Sequence, residues 1–470
     1  MKPSKVEWGI ALCLFLFLFA SWRFWDTTAI VGFQVDFADS MVHGEFSNPF
    51  QRNSDRGTWE KENNVEEICM RDISPYDLSV NLVLGIWGLP LYLLGGTDYA
   101  SSFAKLLYGK SFFFFVFLIS TWLVYKICRA IDLDDNKSKW AAFIYFTSSM
   151  AWHSICLVGN IDTLCITLTL AGVLAYIRGR DRECFVWFLL AFPFKQFAAF
   201  IYLPLLLLRD KNLFRDGFKL IAIAVVNTIL SLPVLNCPGA TARKSKFMLD
   251  MVYRLFQRTI PFLNREISIF VLLYVLLCAY CWLKEEPSEK RERNHMTLWA
   301  AMTAITITLS SIRNHPQWFL YVTPYMAAAV MYYAKRSDKI LTFETVGYLS
   351  LLGYFYSFDA NFYSPKYGKY MLLWQLFGKK DAFLPNDLQT ALNVAGEAGK
   401  SSLDLFRVHL TSALGAIYTA CVLVIIFWLC RPQNIDTECE INIRPYALPR
   451  MFLNALGCYI PLIYFIKVML

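Results

Sequence analysis

The sequence predicts an all-α polytopic membrane protein: a bundle of about thirteen transmembrane helices with a long external first loop that carries juxtamembrane helices. Three observations predict this. Apolar residues fill 56% of the 470 positions and the mean hydropathy is +0.40, more than one soluble core of this length requires. Apolar runs approaching the ~20 residues that cross a hydrocarbon layer recur along the chain. Runs such as 112–125 do not alternate as the strands of a closed barrel would.

The first apolar run follows Met1-Lys2-Pro3-Ser4-Lys5, a basic start like that of a signal peptide. No small-x-small cleavage site follows it, so it reads as an uncleaved anchor. The expected spans are 8–23, 111–128, 140–158, 163–177, 185–194, 197–208, 218–235, 268–283, 297–311, 318–333, 341–358, 409–430 and 451–470. The fifth and sixth are short and meet around Pro193 and Lys195 as a pair that goes out and returns.

Segment 78–94 is also apolar, and it decides the topology. If it crosses, Lys126, Arg129, Lys137, Lys139 and the Arg178/Arg180/Arg182 cluster fall outside. If it does not, these and the later groups at 209–215, 284–293 and 335–336 all fall inside, where Lys and Arg are favoured. The second arrangement is the better one. Gly85, Gly88, Pro90 and the Gly95-Gly96 pair then read as a broken, re-entrant element. The N-terminus lies inside, the C-terminus outside, and 26–110 is a long external loop, with eleven acids against four Lys or Arg between positions 26 and 77.

One stretch disobeys the charge rule: Arg243, Lys244, Lys246, Arg254, Arg258 and Arg265 would lie outside. Met248, Met251, Val252 and Leu255 recur there at helical spacing, as in an amphipathic helix on the outer surface. It reads as an interfacial anchor or as a cradle for a lipid phosphate. Loop 359–407 is expected to hold a short helix at 388–397. The chain divides in this reading into a catalytic membrane module, 1–235, and a C-terminal membrane region, 236–470, with external loops 236–267 and 359–407.

The net charge of +8 includes no basic tract of nucleic-acid-binding type, so nucleic acid is not an expected partner. The one CxxC, Cys278 to Cys281, lies in an apolar run without a second pair or a His at zinc spacing. Cys69 and Cys237 are the cysteines in external loops and the pair open to a disulfide there; two free thiols are the alternative.

Shortly after the first span comes Val35-Asp36-Phe37-Ala38-Asp39-Ser40-Met41-Val42-His43-Gly44-Glu45. Asp36 and Asp39 share one face if this is a helical turn. A carboxylate at the membrane boundary can take the proton of an acceptor hydroxyl as it attacks an anomeric carbon. An N-cap with a surface acid is the structural alternative.

A first helix, then an external Asp-Phe motif, a helical stretch and Gly resembles the opening of the C-type (GT-C) polytopic membrane glycosyltransferases, which use polyprenyl-phosphate-linked sugars. Gly159-Asn160-Ile161-Asp162-Thr163 is similar to that family's Gly-polar-x-Asp/Asn motif. Phe192-Pro193-Phe194-Lys195-Gln196, then Tyr202-Leu203-Pro204, looks like its Lys turn followed by a Leu-Pro helix, although Lys195 is followed by Gln196 rather than Pro or Gly. Arg313-Asn314-His315-Pro316-Gln317-Trp318 is similar to the polar turn before a late helix in mannosyltransferase-like members.

The resemblance implies an inverting transfer from a polyprenyl-phosphate sugar donor to a lipid or glycan acceptor, on the extracytoplasmic side of a bacterial inner or cell membrane rather than the endoplasmic reticulum. Asp36 is then the catalytic base, and Asp39, His43, Asp162, Lys195, Arg313 and His315 bind donor or acceptor. Lys195, an ionisable residue between two apolar half-helices, is a functional candidate on its own account, with snorkelling to the interface as its alternative. For Asp162 the alternative is helix capping, and His153 reads as a core histidine. Asp36 and Asp39 have the hard-oxygen chemistry to share a divalent metal. No second acidic cluster accompanies them, so the expected cofactor is none and the reading is a metal-free single displacement. A glycan ligase or polymerase would rely on external arginines instead, and a lipid or sugar transporter on repeated halves, of which none is visible.

Overall fold

The computed structural model describes residues 2–21, 25–45, 77–96, 103–232, 253, 255–262, 265–311, 316–333, 336–358, 402–429 and 442–469. The described chain is helical apart from one hairpin. It forms two compact units, one comprising Met1–Trp25, Val124–Gly159 and Pro316–Leu470, the other Asp26–Leu123 and Asn160–His315.

The first unit is built around α1 (Lys5–Ser21). Ser4 and Glu7 cap its start reciprocally, and Arg444 Nε donates to Glu7 Oε1 at 2.5 Å. One face of α1 buries Phe15 and Leu18, with Trp8 edge-on to Phe143 and Phe15 against Trp152. Those partners belong to α5 (Asp135–Phe146) and α6 (Ser149–Trp152); the latter runs directly into a π-helical turn, His153–Val158. The sequence predicts one span over 140–158, but the structure bends it by 48° between Phe146 and Ser149. The extended backbone at Ser148 breaks the ladder, and the Trp152 indole takes over the Phe146 carbonyl at 2.6 Å. His153 is fully buried in the π turn.

The late part of this unit is a 3-10 turn (Pro316–Tyr321), α13 (Thr323–Tyr332), α14 (Ser337–Phe358), α15 (Ser402–Leu429) and α16 (Arg444–Met469). The span expected over 318–333 is thus a 3-10 turn and a ten-residue helix, both buried. Small residues let α14 and α15 approach: a Cβ at Gly353 would meet Leu414, and one at Gly415 would meet Tyr354.

The second unit opens with α2 (Trp25–Val42) and α3 (Leu78–Gly95), followed by α4 (Phe103–Ala130), of which residues to Leu123 belong here. The broken element expected at 78–94 is instead one continuous helix through Pro90. Its glycines serve contact rather than breakage. A Cβ on Gly85 would meet Phe37 and Met41, and one on Gly88 would collide with the Gln34 backbone. Trp87 and Tyr108 stack at 5.5 Å and exchange two hydrogen bonds of 3.2 Å, indole to carbonyl and hydroxyl to carbonyl. Gln34 Nε2 donates to the Gly109 carbonyl at 2.9 Å. Residues 103–110, expected in the external loop, are the first turns of α4.

Next come α7 (Asp162–Ile177), α8 (Asp181–Ala191), α9 (Phe197–Arg209) and α10 (Leu213–Ser231). Gly172 lets the Phe188 ring lie against α7, within 2.8 Å of where its Cβ would stand, and Phe188 stacks on Tyr202 at 4.4 Å. A hairpin, β1 (Thr259–Phe262) with β2 (Arg265–Ser268), leads into α11 (Ile269–Leu283) and α12 (Lys290–Ser311). The hairpin was not legible in the sequence. Cys278 and Cys281 are free thiols on α11.

By length and apolar composition, three described segments suffice to cross a membrane, Leu78–Gly95, Ala104–Ala130 and His409–Trp428, or four if the bent pair is one span. The expected count of thirteen draws as well on shorter apolar helices such as Asp162–Ile177, Phe197–Arg209 and Ile269–Leu283. The surface helix around Met248, the helix at 388–397, and Cys69 and Cys237 lie outside the described residues, apart from a few positions of the first.

Candidate functional site

The polar centre of the second unit is built where α7 begins. Gly159 takes a left-handed conformation, φ +68°, which a side chain would resist. The chain then turns through Asn160 into the helix. Asn160 performs the capping: its Oδ1 accepts the Asp162 amide at 3.1 Å, and the Thr163 hydroxyl donates to its carbonyl at 2.9 Å. The Asp162 carboxylate is thereby left for other partners. Its Oδ2 accepts from Asn160 Nδ2 at 2.7 Å, and Oδ1 stands 3.2 Å from the ammonium of Lys195.

Lys195 sits in the turn between α8 and α9 that the sequence marks at Pro193. The turn is pinned from two helices. The Cys165 thiol on α7 donates to the Lys195 carbonyl at 3.5 Å, and the Ser79 hydroxyl on α3 donates to the Pro193 carbonyl at 3.5 Å. The Lys195 ammonium also lies 5.7 Å from the centroid of the Phe197 ring. Its side chain is 15% exposed and that of Asp162 1%, so this is a partly reachable cation beside a fully buried carboxylate.

Asp36, Asp39 and His43 lie on or just beyond the C-terminal half of α2. Asp36 is 7% exposed on a stretch buried almost all round from Ile30 to Ala38. Its carbonyl accepts the Ser40 hydroxyl at 3.0 Å. His43 Nδ1 lies 3.2 Å from the Asp39 carboxylate and 2.9 Å from the Asp39 carbonyl. Helix α3 touches both groups: its Gly85 seats Phe37 and Met41, and its Ser79, about 9 Å away along the helix, reaches the Lys195 turn. Arg313 and His315 lie outside the described residues.

The structure therefore brings Asp162 and Lys195 into contact, brings Asp39 and His43 into contact, and joins the two groups through α3. Asn160, Cys165 and Ser79 were not picked out as site residues by sequence. Asn160 stands two residues before Asp162 and Cys165 three after it, the spacings of a capped first turn, whereas nothing local marks Ser79. Two carboxylates one turn apart are fewer oxygen ligands than a hard divalent cation takes. Among the described residues no group of three or more His, Cys, Asp or Glu gathers to hold a metal.

Apolar helices that enclose a carboxylate–ammonium pair at a helix mouth define a multi-helix membrane protein with an ionisable centre. Residues 99–261 match the family model of Glycosyltransferase family 87, a family of GT-C-type membrane glycosyltransferases, and over that segment the chain is similar to these enzymes. The matched segment includes Asp162 and Lys195 and begins after Asp36. No curated protein and no solved structure matches the chain.

Proposed function

We propose that the chain transfers a sugar, with inversion, from a polyprenyl-phosphate donor to a lipid-linked or surface-glycan acceptor. The acceptor hydroxyl attacks the anomeric carbon and its proton passes to Asp36. The bond from that carbon to the phosphate oxygen breaks, and the electron pair leaves with the polyprenyl phosphate. Lys195, held by Asp162, meets the charge on that phosphate. Asp39 and His43 support the Asp36 helix end, and Arg313 and His315 are further candidates for donor or acceptor contacts.

The observation that carries this reading is the Asp162–Lys195 pair, a part-buried cation fixed in a pinned turn and linked through α3 to the helix of Asp36. The side follows from charge. The C-terminal end of α7 runs into Arg178, Arg180 and Arg182, which favour the cytoplasm. The Asp162 end is then extracytoplasmic, and the mannosyltransferase-like resemblance fits a donor reached from that face.

Asp36→Asn keeps the size of the side chain and removes its ability to accept a proton at neutral pH. Sugar transfer in membranes should fall by about 10²–10⁴-fold at unchanged protein abundance. Asp39→Asn should be milder, and chelator should leave the rate unchanged. Equal losses in both variants together with chelator sensitivity would point to a shared metal. A fully active Asp36→Asn protein would remove Asp36 as the base and turn the assignment toward a glycan ligase or a transporter.

A further inference from the structure

A cavity of about 350 Å³ opens at the other end of the second unit. Its wall includes Tyr176 and Arg178 at the close of α7, about 21 Å along that helix from Asp162, together with the start of α12. Four cations line it, Arg178, Arg209, Lys290 and Arg293, against two acids, Asp181 and Glu286. Arg209 is occupied in holding the helices together: it donates to Asp181 Oδ1 at 2.6 Å and to the Tyr176 carbonyl at 2.7 Å, and it lies over the Tyr176 ring at 3.8 Å.

Arg178 and Arg293 are differently placed. Arg178 makes no ion pair or side-chain hydrogen bond among the described residues. Arg293 is fixed through one nitrogen, Nη1, which donates to the Pro287 and Ser288 carbonyls at 3.0 and 2.7 Å. Beside them stands Asn294, only 3% exposed, whose Nδ2 finds no acceptor among the described residues. A buried amide donor without an acceptor is rare enough to call for an explanation. Here it lines a cavity with surplus positive charge, next to the N-terminus of a 22-residue helix whose dipole also favours an anion. An acceptor-only group with several oxygens satisfies all of these donors together, and the volume lies at the lower end of the ~300–1,000 Å³ range of small-ligand sites.

We infer that this cavity is a second ligand site that takes a phosphate-bearing group, either the headgroup of an anionic phospholipid or a soluble phosphate ester, through Arg178, Lys290, Arg293 and the side-chain amide of Asn294. The site is separate from the transfer centre, and its assignment does not depend on the transferase reading.

The full chain in phosphatidylcholine nanodiscs is titrated with glycerol 3-phosphate, with glycerol as control, and ligand binding is read by calorimetry. In parallel, its thermal stability is compared between nanodiscs with and without phosphatidic acid. A saturable response to glycerol 3-phosphate assigns a soluble source, and stabilisation by phosphatidic acid alone assigns a lipid source. Arg293→Gln and Asn294→Asp should each weaken the response by about tenfold or more, the loss of one charge-assisted hydrogen bond. In the unaltered protein, the same phosphate ligand should protect Arg178 and Arg293 from phenylglyoxal in mass mapping, a readout that needs no variant to fold. No response to either source, an equal response to glycerol, or unprotected arginines would overturn the proposal.

Discussion

The two units each contain an ion pair between chain segments far apart in sequence, and the pairs are built in opposite ways. In the first unit Arg450 on α16 donates to both carboxylate oxygens of Glu344 on α14, at 2.6 and 2.5 Å, and to the Thr147 hydroxyl at 3.0 Å. Asn454, one turn on, donates to the Thr147 carbonyl at 3.0 Å. Both charged side chains are 3% exposed or less. The two charges are paired with each other through two hydrogen bonds and shut away from solvent, in a cluster that fastens three segments. In the second unit the Lys195 ammonium stands 3.2 Å from the Asp162 carboxylate and its side chain stays 15% exposed. Burial of a charge pair does not by itself mark a site. Access to the charge does.

That contrast can be broken by experiment. The largest effect on stability is expected at Arg450→Met, which leaves the Glu344 carboxylate buried alone, a loss of about 3–5 kcal/mol for a pair of this kind. Abundance and melting temperature should fall together, and transfer only in proportion to folded protein. Pairing it with Glu344→Leu should restore much of the stability, since a well-packed apolar pair often replaces a buried ion pair without loss. Lys195→Ala should behave oppositely, with stability little changed and use of a lipid-phosphate donor weakened by roughly one to two decades, the value of a charged contact of about 1.5–3 kcal/mol. An unchanged donor response at normal abundance would make Lys195 structural, like Arg450. Asn160→Ala should have the smallest effect, about 1 kcal/mol for a lost cap. Its donor response should drop only a few-fold, because the Lys195 contact with Asp162 survives.

The sequence made visible what depends on local pattern. Long apolar runs located most of the helices, and Pro193 with Lys195 interrupting an apolar stretch located the turn of the site. The rest depends on partners far along the chain. Gly85 and Gly88 look like helix breakers until Gln34 and Phe37 are seen packed against them. The bend after Phe146 contains neither Gly nor Pro, so no breaker signals it. Arg450 reads as the last residue of a loop before a span, whereas it lies within α16 and is buried there. The role of Asn160 as cap could not be separated from that of Asp162 without the hydrogen bonds that divide their work.

The most direct test is a density map of the full chain with a polyprenyl-phosphate sugar bound. The donor phosphate should lie within hydrogen-bond reach of the Lys195 ammonium, about 2.7–2.9 Å, with the anomeric carbon facing the Asp36 carboxylate. A donor phosphate seated elsewhere, with Lys195 still held against Asp162 and Asp36 remote from the sugar, would contradict this assignment.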